Sequence, residues 1–265
     1  MNAQTVLASS GGEEFKAPGP ELFDFPPLFA GGPEWLTKPV VFAVVGALFV
    51  CVLAWSAFAK PKLVPRGMQN LGEVGYVFVR EQVARPFLGK DAERWMPLLI
   101  SLFFLIWTWN IMAVVPVIQF PIASHIAFPA VLAVSIYLLK VYLGMKNQGP
   151  VKYFTNMIPK GLPKPIYVLL VPIEYLSTLV LAPFTHAVRL FANMFAGHII
   201  LAFFSLVGFW FLFEKPTPLG AGLGVLGVIM TIAMTAFEMF IQFLQAFLFT
   251  MLAAMYIGSG LHADH

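Results

Sequence analysis

The chain has 265 residues, of which 59% are hydrophobic and only 11% are charged, and its 16 basic and 13 acidic residues give a formal net charge of +3. Soluble domains are about 45–50% apolar and about 25% charged, so this composition excludes a soluble globular enzyme, a disordered protein and a disulfide scaffold. Lipid is therefore the solvent for most of the chain, and we predict an all-α integral membrane protein with six helices.

The N-terminal part of the chain is predicted to be an exposed arm, residues 1–36, followed by a single membrane domain, residues 37–265. The arm has neither the basic start nor the early apolar core of a signal peptide. The first span, residues 39–59, has about 20 apolar residues, which is enough to cross a bilayer. It contains Cys51, the only cysteine, which has no disulfide partner and which we expect to be a buried spacer.

The middle of the chain alternates apolar and basic segments. Residues 62–90 mix apolar and charged side chains, a pattern typical of an amphipathic helix that lies in the membrane interface. Residues 95–115 and 125–140 are predicted to form a transmembrane hairpin, because an uncharged segment connects them. A lysine-rich loop, residues 141–165, follows the hairpin.

Two long apolar stretches, residues 166–213 and 220–261, complete the chain. As helices they would each reach roughly 60–70 Å, whereas the hydrocarbon core of a bilayer is about 30 Å thick. Each stretch therefore forms either two spans or one steeply tilted helix. Pro172 and Pro183 are places where the first could break or bend, but the absence of polar turns favours a long tilted hairpin.

Basic residues cluster after the first span, before the second and after the third. Loops rich in lysine and arginine stay in the cytoplasm, and the three clusters share one side if the amphipathic helix does not cross. The rule predicts that the loop 141–165 and the C-terminus are cytoplasmic and that the N-terminus is outside.

Three glycines, Gly222, Gly224 and Gly227, have the spacing of a dinucleotide-binding loop. That loop needs a strand before it and a helix after it, whereas these residues lie inside an apolar stretch. We interpret them as small residues that allow close packing of membrane helices.

Ionisable side chains inside the apolar stretches are functional candidates, because a charge at this depth costs roughly 2.5–3.5 kcal/mol by insertion scales. Arg189 is the strongest case, since no acidic residue lies near it in sequence. It needs a partner from another segment or another chain. Two interpretations remain open: a structural ion pair with Glu238, or a fixed charge that faces a moving carboxylate or ion.

Helical geometry sorts the polar residues around Arg189 into faces. At about 100° per residue, Asn193 lies about 40° and His186 about 60° from Arg189, so we expect the three to share a face. His198 lies about 180° away and should reach a different surface. For His186, a role in transport and a role in packing are equally supported.

The last stretch carries a second polar face, formed by Glu238, Gln242 and Gln245 at positions i, i+4 and i+7. Two such faces on paired helices could line hydrated paths, or they could form interhelical hydrogen bonds. We favour hydrogen bonding for Gln242. For Glu238 and His198 we favour a proton relay, which is typical of ionisable groups at this depth.

At these residues the chain resembles a known family. The sequence RLFANMFAGH at residues 189–198 closely resembles the signature of subunit a of the F-type ATP synthase. The sequence FLQAFLF at residues 243–249 resembles the C-terminal signature of that subunit, and residues 109–116 resemble an earlier span. The order and spacing of these segments extend the resemblance over most of the chain after about residue 36.

The resemblance implies a proton-translocating stator subunit that offers two offset half-channels to a rotating c-ring. Arg189 would hold the ring carboxylate deprotonated and prevent a proton leak. The implied partners are the c-ring, the b subunits of the peripheral stalk and the lipid bilayer, with no nucleic acid. No cofactor or metal is implied, and nucleotide chemistry belongs to other subunits. The implied location is an energy-transducing membrane, most simply the bacterial plasma membrane.

The resemblance also assigns individual residues. Asn193, His198, Glu238 and Gln245 match positions that line the channels, and some relatives carry the His198 and Glu238 side chains exchanged. Glu174 is close to another family acid, whose spacing to the arginine varies among relatives. His186 is a further candidate for proton translocation, and Asn110 and Gln242 are candidates for channel lining. Ala113 stands where the family often has an acid.

Two functions outside this family remain as alternatives. A secondary transporter could use Arg189 to bind an anionic substrate, but such proteins usually contain an internal repeat, and none is visible. A purely structural membrane scaffold is the second alternative.

Overall fold

The computed structural model describes residues 17–23, 28, 33, 36–59, 62, 64–115, 119–158, 163–214 and 217–261. The first 16 residues of the predicted arm, the C-terminal residues 262–265 and part of the turn after residue 115 lie outside the described residues. The described residues form helices and no β-strand, and five helices are long and apolar enough to cross a membrane. The predicted all-α membrane fold is confirmed.

The described residues contain seven helices, which follow one another in chain order. The first three are α1 (Lys38–Phe58), α2 (68–88) and α3 (Ala92–Ile111). The last four are α4 (Ala127–Gln148), α5 (Pro150–Asn156), α6 (164–214) and α7 (Pro218–Leu261). Short 3₁₀ turns lie at Pro20–Phe23, Gly89–Asp91 and Ile122–Ser124.

The predicted loop after the hairpin is shorter than its sequence suggested. Helix α4 continues to Gln148, and α5 begins at Pro150, so 141–148 is helical rather than loop. The lysines of this segment misled the prediction, because lysine is a good helix former whose charge can reach the interface. Gly149, with φ of 82°, makes the bend between the two helices, a conformation that glycine adopts without strain.

The two C-terminal apolar stretches are single helices. They span Ile166–Glu214 with 49 residues and Pro218–Leu261 with 44 residues. At about 1.5 Å per residue, each exceeds twice the thickness of a hydrocarbon core of about 30 Å. The alternative of two spans in each stretch is therefore wrong.

A widened helical turn explains why Pro183 does not interrupt α6. Helices α2 and α6 contain three π-helical segments, Arg80–Ala84, Ser177–Leu181 and Trp210–Glu214. In each case a proline follows two residues after the segment ends: Pro86, Pro183 and Pro216. A proline ring clashes with the carbonyl four residues earlier, and that carbonyl belongs to the wide turn. At Pro86 and Pro183 the π turn gives the ring room and lets the helix continue.

The chain divides into two compact units. Unit 1 comprises Met1–Leu48, Trp107–His125 and Phe191–Leu244, and unit 2 comprises Phe49–Ile106, Ile126–Leu190 and Gln245–His265. Helices α6 and α7 each contribute to both units.

In unit 1, the ends of α6 and α7 pack through small residues. A Cβ added to Gly227 would lie 2.6 Å from the backbone nitrogen of Gly208, and one added to Gly224 would lie 2.6 Å from Leu212 Cγ. Gly222 has open space around it. The interpretation of the glycine motif as a packing surface is confirmed for Gly224 and Gly227.

Two expectations about burial need correction. Cys51 is exposed rather than buried, because apolar side chains of α1 face outward, as lipid-facing residues do. Within the predicted exposed arm, Phe23 is only 6% exposed. Aromatic side chains bury a large apolar area when a neighbour offers a surface, and Phe195 offers one to Phe23 at a ring distance of 4.7 Å.

Candidate functional site

Arg189 lies on the outer face of α6. It is exposed, and so is Asn193 one turn later. Ala192 and Ala196 are also exposed, and their small side chains protrude little from the helix. Arg189 forms no ion pair with any residue that the structure describes. A guanidinium group on an apolar helix, open to the outside and surrounded by small side chains, is accessible to an acidic group from another chain.

His186, in contrast to Arg189, lies on the buried side of α6. Its side chain is 3% exposed, and its ring centre is 3.8 Å from that of Phe249 and 5.8 Å from that of Tyr256. Neither ring nitrogen has a hydrogen-bond partner among the described residues. The prediction that His186 shares the outer face with Arg189 is wrong, because a residue 60° away lies at the edge of that face and α7 covers it.

Tyr256 is also part of the environment of His186, and the sequence did not predict this. The ring centre of Tyr256 lies 5.8 Å from that of His186, so the inner side of the Arg189 turn carries an imidazole that meets a phenol. Tyrosine is common in membrane helices, particularly at interfaces, so its spacing alone carried no signal.

Glu238 is the buried acid of unit 1. Its side chain is 7% exposed, and it faces Gly197, where an added Cβ would lie 3.1 Å from Glu238 Oε1. Its polar neighbour on α7 is Gln242, but no well-aligned hydrogen bond from a described residue reaches either carboxylate oxygen. Burying such a group without partners is costly, which is typical of a functional carboxyl group.

His198 is half-buried at the next residue of α6 after Gly197. Its Nδ1 has no hydrogen-bond partner among the described residues, and its ring meets that of Phe23 edge-on at 5.9 Å. That Arg189 and His198 reach different surfaces stays a prediction. Phe23 was not found from sequence, because its position in a proline- and glycine-rich segment gave no periodicity.

Asn110 links α3 to α7 within unit 1. Its Nδ2 donates to the carbonyl oxygen of Gln242 at 3.2 Å, and the two side chains are 1% and 2% exposed. Asn110 Oδ1 and both amide atoms of Gln242 have no hydrogen-bond partner within the described part of the chain. Helix-to-helix bonding at Gln242 therefore uses its backbone, and its amide is left for water or a proton carrier.

The remaining candidates belong to unit 2. Gln245 is 7% exposed, and it lies with Glu238 and Gln242 on one buried face of α7, as the spacing predicts. Glu174 is half-buried and accepts a hydrogen bond from Thr178 Oγ1 at 3.4 Å. The candidate residues thus form two groups, one in each unit: Asn110, Asn193, His198, Glu238 and Gln242 in unit 1, and Glu174, His186, Arg189 and Gln245 in unit 2.

Comparisons with known proteins give a single family. A family profile described as ATP synthase A chain matches residues 40–258. The chain is 42% identical to ATP synthase subunit a of Streptomyces lividans over 259 residues, which cover 95% of this chain and 89% of that protein. It is 43% identical to ATP synthase subunit a of Frankia alni over 267 residues, with coverage of 98% and 90%.

The chain belongs to the ATP synthase subunit a family. A third relative, subunit a of Nocardioides sp., is 36% identical over 274 residues that cover 99% of both chains, so the similarity includes the N-terminal segment. The resemblance first found at residues 189–198 is confirmed. As a subunit a, the chain is a multi-pass membrane component of an ATP synthase.

Proposed function

We propose that this chain translocates protons in the Fo sector, with Arg189 facing the carboxylate of a rotating c-ring. The observation that carries the proposal is the exposed Arg189, which has no ion-pair partner in the described chain. A charge in lipid is retained only where it has a function. The small side chains of Ala192 and Ala196 permit close approach of a neighbouring helix.

The energy of the proposed pair fits a rotary motor. At about 4 Å and an effective dielectric constant near 20, Arg189 and a carboxylate attract each other by about 4 kcal/mol. A proton that crosses 100 mV supplies about 2.3 kcal/mol. The pair is therefore strong enough to hold the carboxylate ionised between two half-channels, and weak enough to be broken by a few protons.

One half-channel is proposed to use the polar group of unit 1. Glu238 and His198 are ionisable, lie on α7 and α6, and lack hydrogen-bond partners at Glu238 Oε1, Glu238 Oε2 and His198 Nδ1. These atoms are free to bind water or protons. Asn110, Gln242 and the exposed Asn193 would extend this path towards the ring.

The other half-channel is proposed to involve the polar group of unit 2. His186, Gln245 and Glu174 lie in the unit that contains Arg189. Positive-inside orientation puts the lysine-rich side in the cytoplasm and the N-terminus outside, and we propose that this second path opens on the lysine-rich side. The peripheral-stalk b subunits would be the remaining partners, and nucleotide chemistry would stay with other subunits.

Replacing Arg189 tests the proposal. In Arg189→Ala, proton-driven ATP synthesis in inverted membrane vesicles should fall by about two orders of magnitude or more, because the attraction of about 4 kcal/mol is lost. The assembled complex, measured by native gel electrophoresis, should persist. Thr185→Ala is the matched control, since Thr185 is exposed one turn earlier on the same face, and it should retain coupling.

The same variant separates the alternatives. A scaffold would tolerate Arg189→Ala with normal ATP synthesis, and a secondary transporter would lose uptake of an anionic substrate with ATP synthesis unaffected. Normal coupled synthesis in an assembled Arg189→Ala complex would overturn the proposed function.

A further inference from the structure

A polar cavity in unit 2 contains a lysine that the proposed mechanism does not yet use. Its volume is about 110 Å³, and seven residues line it: Lys140, Gln148, Tyr153, Asn156, Met157, Thr178 and Ser259. All of them except Met157 are polar. These residues come from α4, α5, α6 and α7. The cavity therefore lies where the lysine-rich segment meets the two long helices.

Lys140 lies deep on its helix. Eight residues separate it from the end of α4 at Gln148, about 12 Å along the helix axis. The side chain is half-buried. Positive-inside topology accounts for lysines in the last turn of a helix, but a position two turns further in needs another explanation.

The charge of Lys140 is held by two aromatic rings. Its Nζ lies 5.6 Å from the ring centre of Tyr137 and 5.0 Å from that of Tyr256, within the range of cation–π attraction. The two rings meet edge-on at 6.4 Å. The ammonium group is thus fixed beside Tyr256, whose ring centre lies 5.8 Å from that of His186, three residues before Arg189.

We propose that Lys140 is a second fixed positive charge of the transport path, placed at the inner end of the cavity, and that it speeds proton release towards the lysine-rich side. The inference rests on the proposed function of Arg189. The contacts form a series from His186, on the same turn of α6 as Arg189, to Tyr256, from Tyr256 to Lys140, and from Lys140 into the cavity. A positive charge along this series disfavours a proton that stays bound there.

Other charged or titratable groups face Lys140 from each neighbouring helix. They are Tyr137 on its own helix, Tyr153 on α5, Tyr256 on α7 and, on α6, Thr178 with its hydrogen-bonded partner Glu174. Glu174 does not line the cavity, but its hydrogen bond with Thr178 places a carboxyl group next to the lining.

The test is the Lys140→Met variant of the whole ATP synthase in inverted vesicles, with the pH on each side controlled. Methionine preserves the packing against the two rings but removes the charge. The pH on the lysine-rich side that gives half-maximal ATP synthesis should move upward by about one unit, because protons leave less readily without the cation. Rates are divided by the amount of assembled complex. Lys140→Arg should restore the original pH profile.

Lys146→Met is the matched control. Lys146 lies in the last turn of α4 and contacts the ring of Tyr142 at 5.9 Å, but it is exposed and does not line the cavity. Its pH profile should equal that of the unmodified protein. Three results would each overturn the inference: an unchanged profile in Lys140→Met, an equal loss of rate at every pH, or no recovery in Lys140→Arg. Loss of coupling in Arg189→Ala is independent of these results, so the proposed function can stand if the inference fails.

Discussion

At the scale of single residues, the closest fit in the candidate site is between Gly197 and Glu238. A methyl group on Gly197 would lie 3.1 Å from Glu238 Oε1, closer than ordinary packing permits. The carboxyl group thus occupies space that the absence of a side chain leaves open on the facing helix.

This fit predicts a compensating pair of substitutions. Gly197→Ala should slow ATP-driven proton pumping several-fold, because the carboxyl group is displaced from its place. Glu238→Asp, whose side chain is one methylene shorter, should also slow pumping when it is the only substitution. Combined with Gly197→Ala, it should partly restore pumping. A double-mutant cycle on pumping rates measures the coupling, with about 0.5–3 kcal/mol expected for residues in contact. Simple additivity would show that the two residues act independently.

The residue scale also shows what a sequence can predict about this site. Arg189, His198 and Glu238 were recognisable because an ionisable group in lipid is rare. The burial of His186 was not predictable from angles on one helix, since it depends on Phe249 of another. Phe23 and Lys140 were missed for the same reason: their roles come from contacts between segments far apart in sequence.

At the scale of the helix, the wide turn at Ser177–Leu181 sets the direction in which Arg189 points. A π turn inserts one extra residue, which rotates everything after it by about 100° relative to a regular helix. Pro183 favours this turn through its missing amide hydrogen and its ring. The face that Arg189 presents therefore depends on a proline six positions earlier.

Removing that proline tests the dependence. Pro183→Ala should allow a regular helix, rotate Arg189 away from its outer face and lower coupled ATP synthesis, with the complex still assembled. Pro172→Ala is the control, because Pro172 lies in a regular part of α6 and no wide turn precedes it, and it should have little effect on coupling. Retention of full coupling in Pro183→Ala would show that the wide turn does not position Arg189.

The glycines of the α6–α7 hairpin give a second prediction at this scale. Gly227→Ala should destabilise the hairpin by about 1–3 kcal/mol, because the new Cβ meets the backbone of Gly208. Gly222→Ala should be neutral or slightly stabilising, since its Cβ would point into open space. Thermal stability of the purified complex and the amount of subunit in membranes measure both effects. Equal behaviour of the two variants would contradict the packing role.

At the scale of the whole molecule, composition predicted the class and the resemblance predicted the architecture. The few charges of the long helices were informative because lipid makes each one costly, whereas Cys51 carried no such penalty and its burial was predicted wrongly. Sequence length left open whether each long stretch crosses once or twice. In α6 the wide turn before Pro183 explains why the helix is not broken there, and nothing in hydropathy alone marks such a turn.

The exposed guanidinium group of Arg189 has a consequence for the life of the chain before assembly. Until a partner arrives, that group faces lipid at a cost of roughly 2.5–3.5 kcal/mol, a large fraction of the 5–15 kcal/mol that stabilises a typical folded protein. The newly inserted subunit is therefore less stable than the assembled one, and it is exposed to membrane proteases during that interval. The same charge that we propose serves the motor makes the order of biogenesis matter.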